Sequence, residues 1–131
     1  MSQPKGELVI QTLAMPSSTN ANGDIFGGWI LSQMDLAAGI LAKRSAYGRA
    51  VTVAINGMSF IQAVHVGDLV TCYGHLVKIG RTSLTIDIEV WTEKFSNGEH
   101  AKVTEGTFTF VAVDEHGRPR VVSADDRNKI K

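Results

Sequence analysis

The stretch "NANGDIFGGWILSQMDLAAGILAKR", residues 20–44, changes character in its middle. Its first part is rich in turn formers and continues the polar run "PSSTNANGD", which reads as a loop. From about Phe26 or Gly27 a helix begins. Trp29, Ile30, Leu31, Met34, Leu36, Ala37, Ala38, Ile40, Leu41 and Ala42 make it apolar on most of its circumference. Lys43 and Arg44 stand near its end, where cations suit the helix dipole. A helix of about 18 residues with so little polar surface wants cover on nearly every side, and so belongs at the centre of a core.

Working outward, "ELVIQTLAM" reads as a short strand ahead of the loop, and everything after the helix favours strands. "RAVTVAINGMSFIQ" carries β-branched residues at 51, 53 and 55 and then Gly57 as a bend. "VHVGD" approaches a turn. "LVTCYGHLVKIG" and "TSLTIDIEVWTEKF" are long, and Leu84, Ile86, Ile88 and Val90 alternate with Thr85, Asp87 and Glu89. "SNGE" is a hairpin signal, and "HAKVTEGTFTFVAVD" is a last long strand with weaker alternation, since Val111 and Val113 shift its phase. The order is strand, loop, one long helix, four strands, with short turns that make the later strands antiparallel. A small flat sheet cannot wrap such a helix. A strongly curved one can, with its open side closed by a second copy of the chain. The expectation is therefore an α+β fold that dimerises.

The chain of 131 residues suits one domain spanning 1–131, with a polar tail from about 123. Thirteen basic and thirteen acidic residues cancel, which gives no reason to expect nucleic acid as a partner. No apolar run has the length of a signal peptide or of a membrane span, so a cytoplasmic protein without membrane insertion is the simplest expectation. Cys72 is the only cysteine; it lies in an apolar strand pattern and reads as a buried, inert thiol.

The candidate chemistry is sparse. His65, His75, His100 and His116 never fall at metal-ligand spacing, and no metal is expected. For His65, in "VHVGD", a turn or surface position is the plainer reading than a catalytic base. No Gly-x-Ser-x-Gly elbow supports a serine nucleophile. "GDIFGG" is neither a dinucleotide fingerprint nor a Walker loop. Gly27 and Gly28 nevertheless open the helix, and N–H groups there can face an oxygen that gains negative charge. Asp24 precedes them. Two roles fit it equally on chemistry alone: a helix-start or Asx-turn residue satisfying N–H groups, or a general base. Thioester hydrolysis needs little more than one base for water and N–H donors for the carbonyl.

The stretch "LAMPSSTNANGDIFGGWILSQMDLAAGILAKR" closely resembles the YciA-type acyl-coenzyme A thioesterases of the hotdog fold. "AVTVAINGMSFIQAVHVGDLVTCYGHLVKIGRTSLTIDIEVW" and "TEGTFTFVAVDEHGRPR" match the same pattern, so the resemblance spans residues 7–122. It implies a long helix wrapped by an antiparallel sheet, homodimers joined edge to edge with active sites shared between the chains, and assembly as a trimer of dimers. It implies acyl-CoA substrates over a broad acyl range, hydrolysed to free CoA and a carboxylic acid with no cofactor. By position, the catalytic aspartate falls on Asp24, acting as general base or as nucleophile through an anhydride. The thioester carbonyl meets the helix start at Gly27 and Gly28, and Asn20 helps to order Asp24 or the carbonyl. Across the interface Gly80, Arg81, Thr82 and Ser83 form the edge that contacts CoA. Met58 and Phe60 line the acyl passage or belong to the core. Asp35, in "SQMD", makes hydrogen bonds across the interface or within the site rather than moving protons. Related sequences carry a basic residue and proline before the "VxVGD" turn; this chain has Gln62 and Ala63, which loosens the turn and removes a cation from the CoA side. Two rival functions share these features: a non-catalytic acyl-CoA sensor, which needs the glycines but not Asp24 as a base, and a hotdog dehydratase, which needs a histidine that none of the four supplies at the helix start.

Overall fold

A computed structural model describes residues 3–122; the polar tail read from about 123 lies outside the described residues. The elements are β1 (Glu7–Leu13), a 3-10 turn (Pro16–Ser18), α1 (Gly27–Ala46), β2 (Ala50–Asn56), β3 (Leu69–Ile79), β4 (Ser83–Glu93) and β5 (His100–Ala112). The strands form one five-stranded sheet in the order β1-β3-β4-β5-β2, with every neighbouring pair antiparallel. α1 packs against all five strands, which is the wrapped-helix arrangement expected from its composition.

Alternation decides which face of the sheet meets the helix. Leu84, Ile86, Ile88 and Val90 of β4 are fully buried, as are Phe108 and Ala112 of β5, with Phe110 nearly so. α1 answers with Ile30, Met34, Ala37, Ala38, Leu41, Ala42 and Ala46. Burying large side chains such as Met34 and Phe108 stabilises by roughly 1.5–3 kcal/mol each. The phase of β5 breaks at its start as well as just past its end, where Ala112 and Val113 are both buried. A register shift opposite Val90 and Trp91 leaves Val103 and Thr104 both buried, whereas Phe108, Phe110 and Ala112 keep strict period two.

Glycine lets the sheet close around the helix. Gly74 of β3, Ile88 of β4 and Gly106 of β5 lie side by side across three strands. A Cβ on Gly74 would stand 2.8 Å from Leu41 Cδ1 of α1, and one on Gly106 would stand 2.9 Å from Met58 Cγ. At both positions a neighbouring side chain, Leu41 of the helix or Met58 just beyond β2, comes down onto bare backbone.

The end of α1 is closed by residues that the sequence reading did not single out. Tyr47 takes the left-handed conformation (φ 51°), and its N–H donates to the Lys43 carbonyl. Arg120 reaches back from the final segment. Its Nη2 donates to the Ala46 carbonyl at 2.9 Å and its Nε to the Val113 carbonyl at 3.0 Å. A cation at the negative end of the helix also suits the dipole. Arg120→Ala should therefore lower stability by about 1–2 kcal/mol, read as a lower urea midpoint with an unchanged slope.

The expected cover for α1 is incomplete on one flank. Leu36 and Ile40 stay exposed, beside β2, which is an edge strand whose Val51, Val53 and Ile55 are exposed as well. Asp35, Leu36, Gly39, Ile40 and Lys43 of the helix, with Val51 and Thr52 of β2, line a groove of about 360 Å³ there.

Candidate active site

The loop before α1 is built by Asn20. Its Oδ1 accepts from the N–H of Asn22 at 2.8 Å and of Asp24 at 3.2 Å, while its own N–H donates to the Asp24 carbonyl at 2.7 Å. Gly23 completes the turn at φ 84°. The Asx-turn role considered for Asp24 is thus taken by Asn20. The cap role is vacant too: Phe26 is the N-cap residue, and no side chain caps the helix. Among the described residues, no acceptor meets the N–H groups of Gly27 or Gly28, whereas those of Trp29 and Ile30 donate to the Phe26 carbonyl. The helix therefore opens on two bare donors at its positive end. The Phe60 ring flanks them, its Cζ 3.4 Å from where a Cβ on Gly27 would stand.

A second loop holds Asp24 in place. Ile25 N–H donates to the Val64 carbonyl at 2.9 Å, and Asp24 pairs with His65 in an antiparallel bridge. The side chains follow the backbones: His65 Nε2 lies 3.4 Å from Asp24 Oδ1. His65 sits in a turn with its side chain largely exposed, as the sequence suggests, yet its ring is against the candidate base. The turn is fixed by Asp68, which is buried and accepts from the N–H groups of His65 (3.0 Å) and Phe95 (3.0 Å), from Lys94 Nζ (3.3 Å) and from the Thr92 hydroxyl (3.4 Å).

Burial works against the Asp68 charge, but the Phe95 and His65 N–H groups and the Lys94 ammonium outweigh it and hold the carboxyl below its ordinary value of 3.8. A carboxyl lowered in the folded state stabilises the fold above its unfolded value and loses that contribution as the pH falls through the folded one. Acid unfolding should accordingly set in below about pH 4 and be milder in Asp68→Asn, a difference that denaturation midpoints between neutral and acid pH would show. Cys72 matches its reading, since burial pushes its thiol up to about 12.

The other candidates are dispersed. Met58 packs against the core beside Met34 and Gly106, whereas Phe60 stands half exposed at the helix start. Asp35 accepts from the Thr52 hydroxyl at 2.6 Å and faces the groove beside β2. Gly80, Arg81, Thr82 and Ser83 make the β3–β4 turn, closed by Gly80 N–H on the Ser83 carbonyl at 2.8 Å. That turn lies at the far end of β3 from Asp68 and His65, roughly 35 Å along an 11-residue strand. One chain does not bring it to Asp24. No cluster of His, Cys, Asp or Glu able to hold a metal occurs among the described residues, and none of their helices is long and apolar enough to cross a membrane.

Residues 22–96, from the Asp24 loop through the helix to the end of β4, match the model of the thioesterase superfamily. The chain belongs to that superfamily. Over 120 residues it is 57% identical to the acyl-CoA thioester hydrolase YciA of Salmonella typhimurium, covering 89% of this chain and 90% of that protein. A solved hexameric broad-specificity acyl-coenzyme A thioesterase superposes with a TM-score of 0.91 at 54% identity, over 97% of this chain and 88% of the other. A hexameric hotdog-fold thioesterase of Campylobacter jejuni superposes with a TM-score of 0.90 at 37% identity, over 95% and 96%. The wrapped helix of this thioesterase superfamily member is a hotdog fold.

Proposed function

We propose that the protein hydrolyses acyl-CoA thioesters over a broad acyl range, releasing free CoA and a carboxylic acid. The observation that carries the chemistry is the uncapped start of α1: two free backbone donors, with a half-exposed carboxylate on the loop that leads into them. The Gly27 and Gly28 N–H groups polarise the thioester carbonyl and stabilise the oxyanion that forms when water attacks. Asp24 orients that water and accepts its proton, or attacks the carbonyl itself. Asn20 fixes the loop through its bonds to backbone. Phe60 borders the acyl chain. The reaction asks for water, a base and N–H donors, and for no cofactor.

The site is completed by a second copy. β2 offers an unpaired edge, and Leu36, Ile40, Val51, Val53 and Ile55 form an apolar surface around it. Pairing through this edge makes a homodimer in which the Gly80–Ser83 turn of one chain contacts the CoA of a thioester held by the other, with Arg81 meeting a phosphate. Three such dimers form a hexamer, as the hexameric relatives suggest. No nucleic acid or membrane takes part, and the protein works in the cytoplasm.

One observation favours a second assignment of the base. Asp35 lines the groove beside the β2 edge, where a second chain would enclose it, and the Thr52 hydroxyl fixes one of its oxygens. Both assignments predict the same reaction. Free-thiol release from a panel of acyl-CoAs, with the acid product measured in parallel, tests it. One thiol and one acid per thioester consumed is the expected stoichiometry. Binding without thiol release would support a sensor, and an altered acyl chain still joined to CoA would support a dehydratase.

A further inference from the structure

We propose that residues 120–122 are a brace that positions the Gly80–Ser83 turn for the nucleotide end of CoA. The proposal rests on the reading that this turn contacts CoA, and not on which carboxylate is the base. The turn needs support from outside its own hairpin. β1 pairs with β3 only from Leu69 to Gly74. Among the described residues, the last part of β3, residues 75–79, therefore has a strand neighbour on the β4 side alone. That part also carries a register shift between Leu76 and Lys78. An arm with one open edge and an irregular ladder frays readily at its tip.

The final segment supplies the support. After β5 the chain reverses at Asp114, whose Oδ1 accepts from the N–H groups of His116 at 2.8 Å and Arg118 at 2.9 Å, and Val113 bridges to Pro119. The returning chain then meets the turn. Val122 N–H donates to the Arg81 carbonyl at 2.8 Å, and Ala112 N–H, at the end of β5, donates to the Thr82 carbonyl at 2.8 Å. The carbonyls of the two central turn residues are thus tied to the chain behind them, beyond the terminal β4–β5 pair of Ser83 with Val111. Arg81 itself stays exposed.

The brace is anchored at both ends. Val122 is fully buried and belongs to the core around α1. Arg120 N–H donates to the Ala112 carbonyl at 2.9 Å, while its side chain holds the Ala46 and Val113 carbonyls. An exposed turn therefore stands on a buried footing that is tied to the end of α1. Fixing such a turn in advance lowers the ordering cost of binding. The contact it makes lies far from the reacting carbonyl, so loosening the brace should weaken the hold on the nucleotide and leave the chemical step alone.

The test measures kcat and KM of the full-length parent, V122P, R120A and R81A. Two substrates are compared: an acyl-CoA, and the same acyl group on pantetheine, which keeps the thioester but lacks the nucleotide. V122P removes the N–H that holds the Arg81 carbonyl, and R120A removes the side-chain anchor while leaving that N–H in place. Expected for acyl-CoA is a KM about fivefold higher in V122P and about threefold higher in R120A, with kcat near the parental value. On the pantetheine thioester both variants should match the parent. A folded V122P with parental KM for acyl-CoA would overturn the proposal, as would losses of equal size on the two substrates or a fall in kcat alone. Should V122P fail to fold, R120A decides by the same results. A parental KM for acyl-CoA in R81A would overturn the reading of the turn as a CoA contact first, and this proposal with it.

Discussion

Asp24→Asn should lower kcat for acyl-CoA hydrolysis by about 10²–10⁴-fold, the usual contribution of a positioned general base, with little change in KM. Asparagine has nearly the same shape, so the loop should survive: Asn20 holds the backbone of Asp24 rather than its carboxylate. The donors at Gly27 and Gly28 remain, so the substrate still binds. On the proposed reading, what goes is the group that takes a proton from water. Asp35→Asn is the companion variant. It removes the carboxylate that Thr52 holds at 2.6 Å, and the model of Asp24 as base predicts a smaller loss than for D24N. The reverse ranking in steady-state kinetics would transfer the base to the groove beside β2.

The second large effect concerns assembly. Val53→Lys combined with Ile55→Lys should give a folded monomer with turnover at least about a hundredfold lower. Val53 is 56% and Ile55 38% exposed in the isolated chain, so lysine there should cost the monomer little stability. At a β2–β2 junction the same lysines would be forced together along a shared edge, which is how natural edge strands resist pairing. On the proposed reading activity depends on that junction, because the Gly80–Ser83 turn stands at the wrong end of its own β3 to reach Asp24. Light scattering after gel filtration would give the mass, circular dichroism the fold, and thiol release the activity.

Much of the fold was legible because it follows from period and turn chemistry. The helix read from about Phe26 or Gly27 runs from Gly27 to Ala46, whereas the strand after it, read on through Gly57, ends at Asn56, with Gly57 at φ 74° just beyond it. Strand order was not legible: β2 pairs with β5 and not with the next strand in sequence, a fact that no local pattern encodes. The flank left bare along Leu36 and Ile40 follows from that order, since β2 becomes an edge. In the loop, residue type left Asp24 open between cap and base. The structure shows that Asn20 forms the turn and that no side chain caps the helix, which removes the plainer role without proving the other. Asp68 was read only as part of a turn, and for His65 the turn was the plainer reading than a catalytic base. Their importance depends on contacts across more than 25 residues, to Asp24 on one side and to Lys94 and Phe95 on the other, and spacing carries no such information. Arg120 closing a helix that ended 74 residues earlier is of the same kind.

The central claim is that thioester hydrolysis takes place at a site assembled from two chains. Mixing two defective proteins tests it most directly: D24N, and a variant with Arg81, Thr82 and Ser83 changed to alanine. After exchange of subunits, each mixed dimer holds one site with an intact Asp24 and an intact turn from the other chain. Thiol release should then climb to about a quarter of the parental rate, since half the dimers are mixed and each has one working site of two. A mixture that stays at the average of its two components, although mixed dimers are shown to form, would contradict the claim.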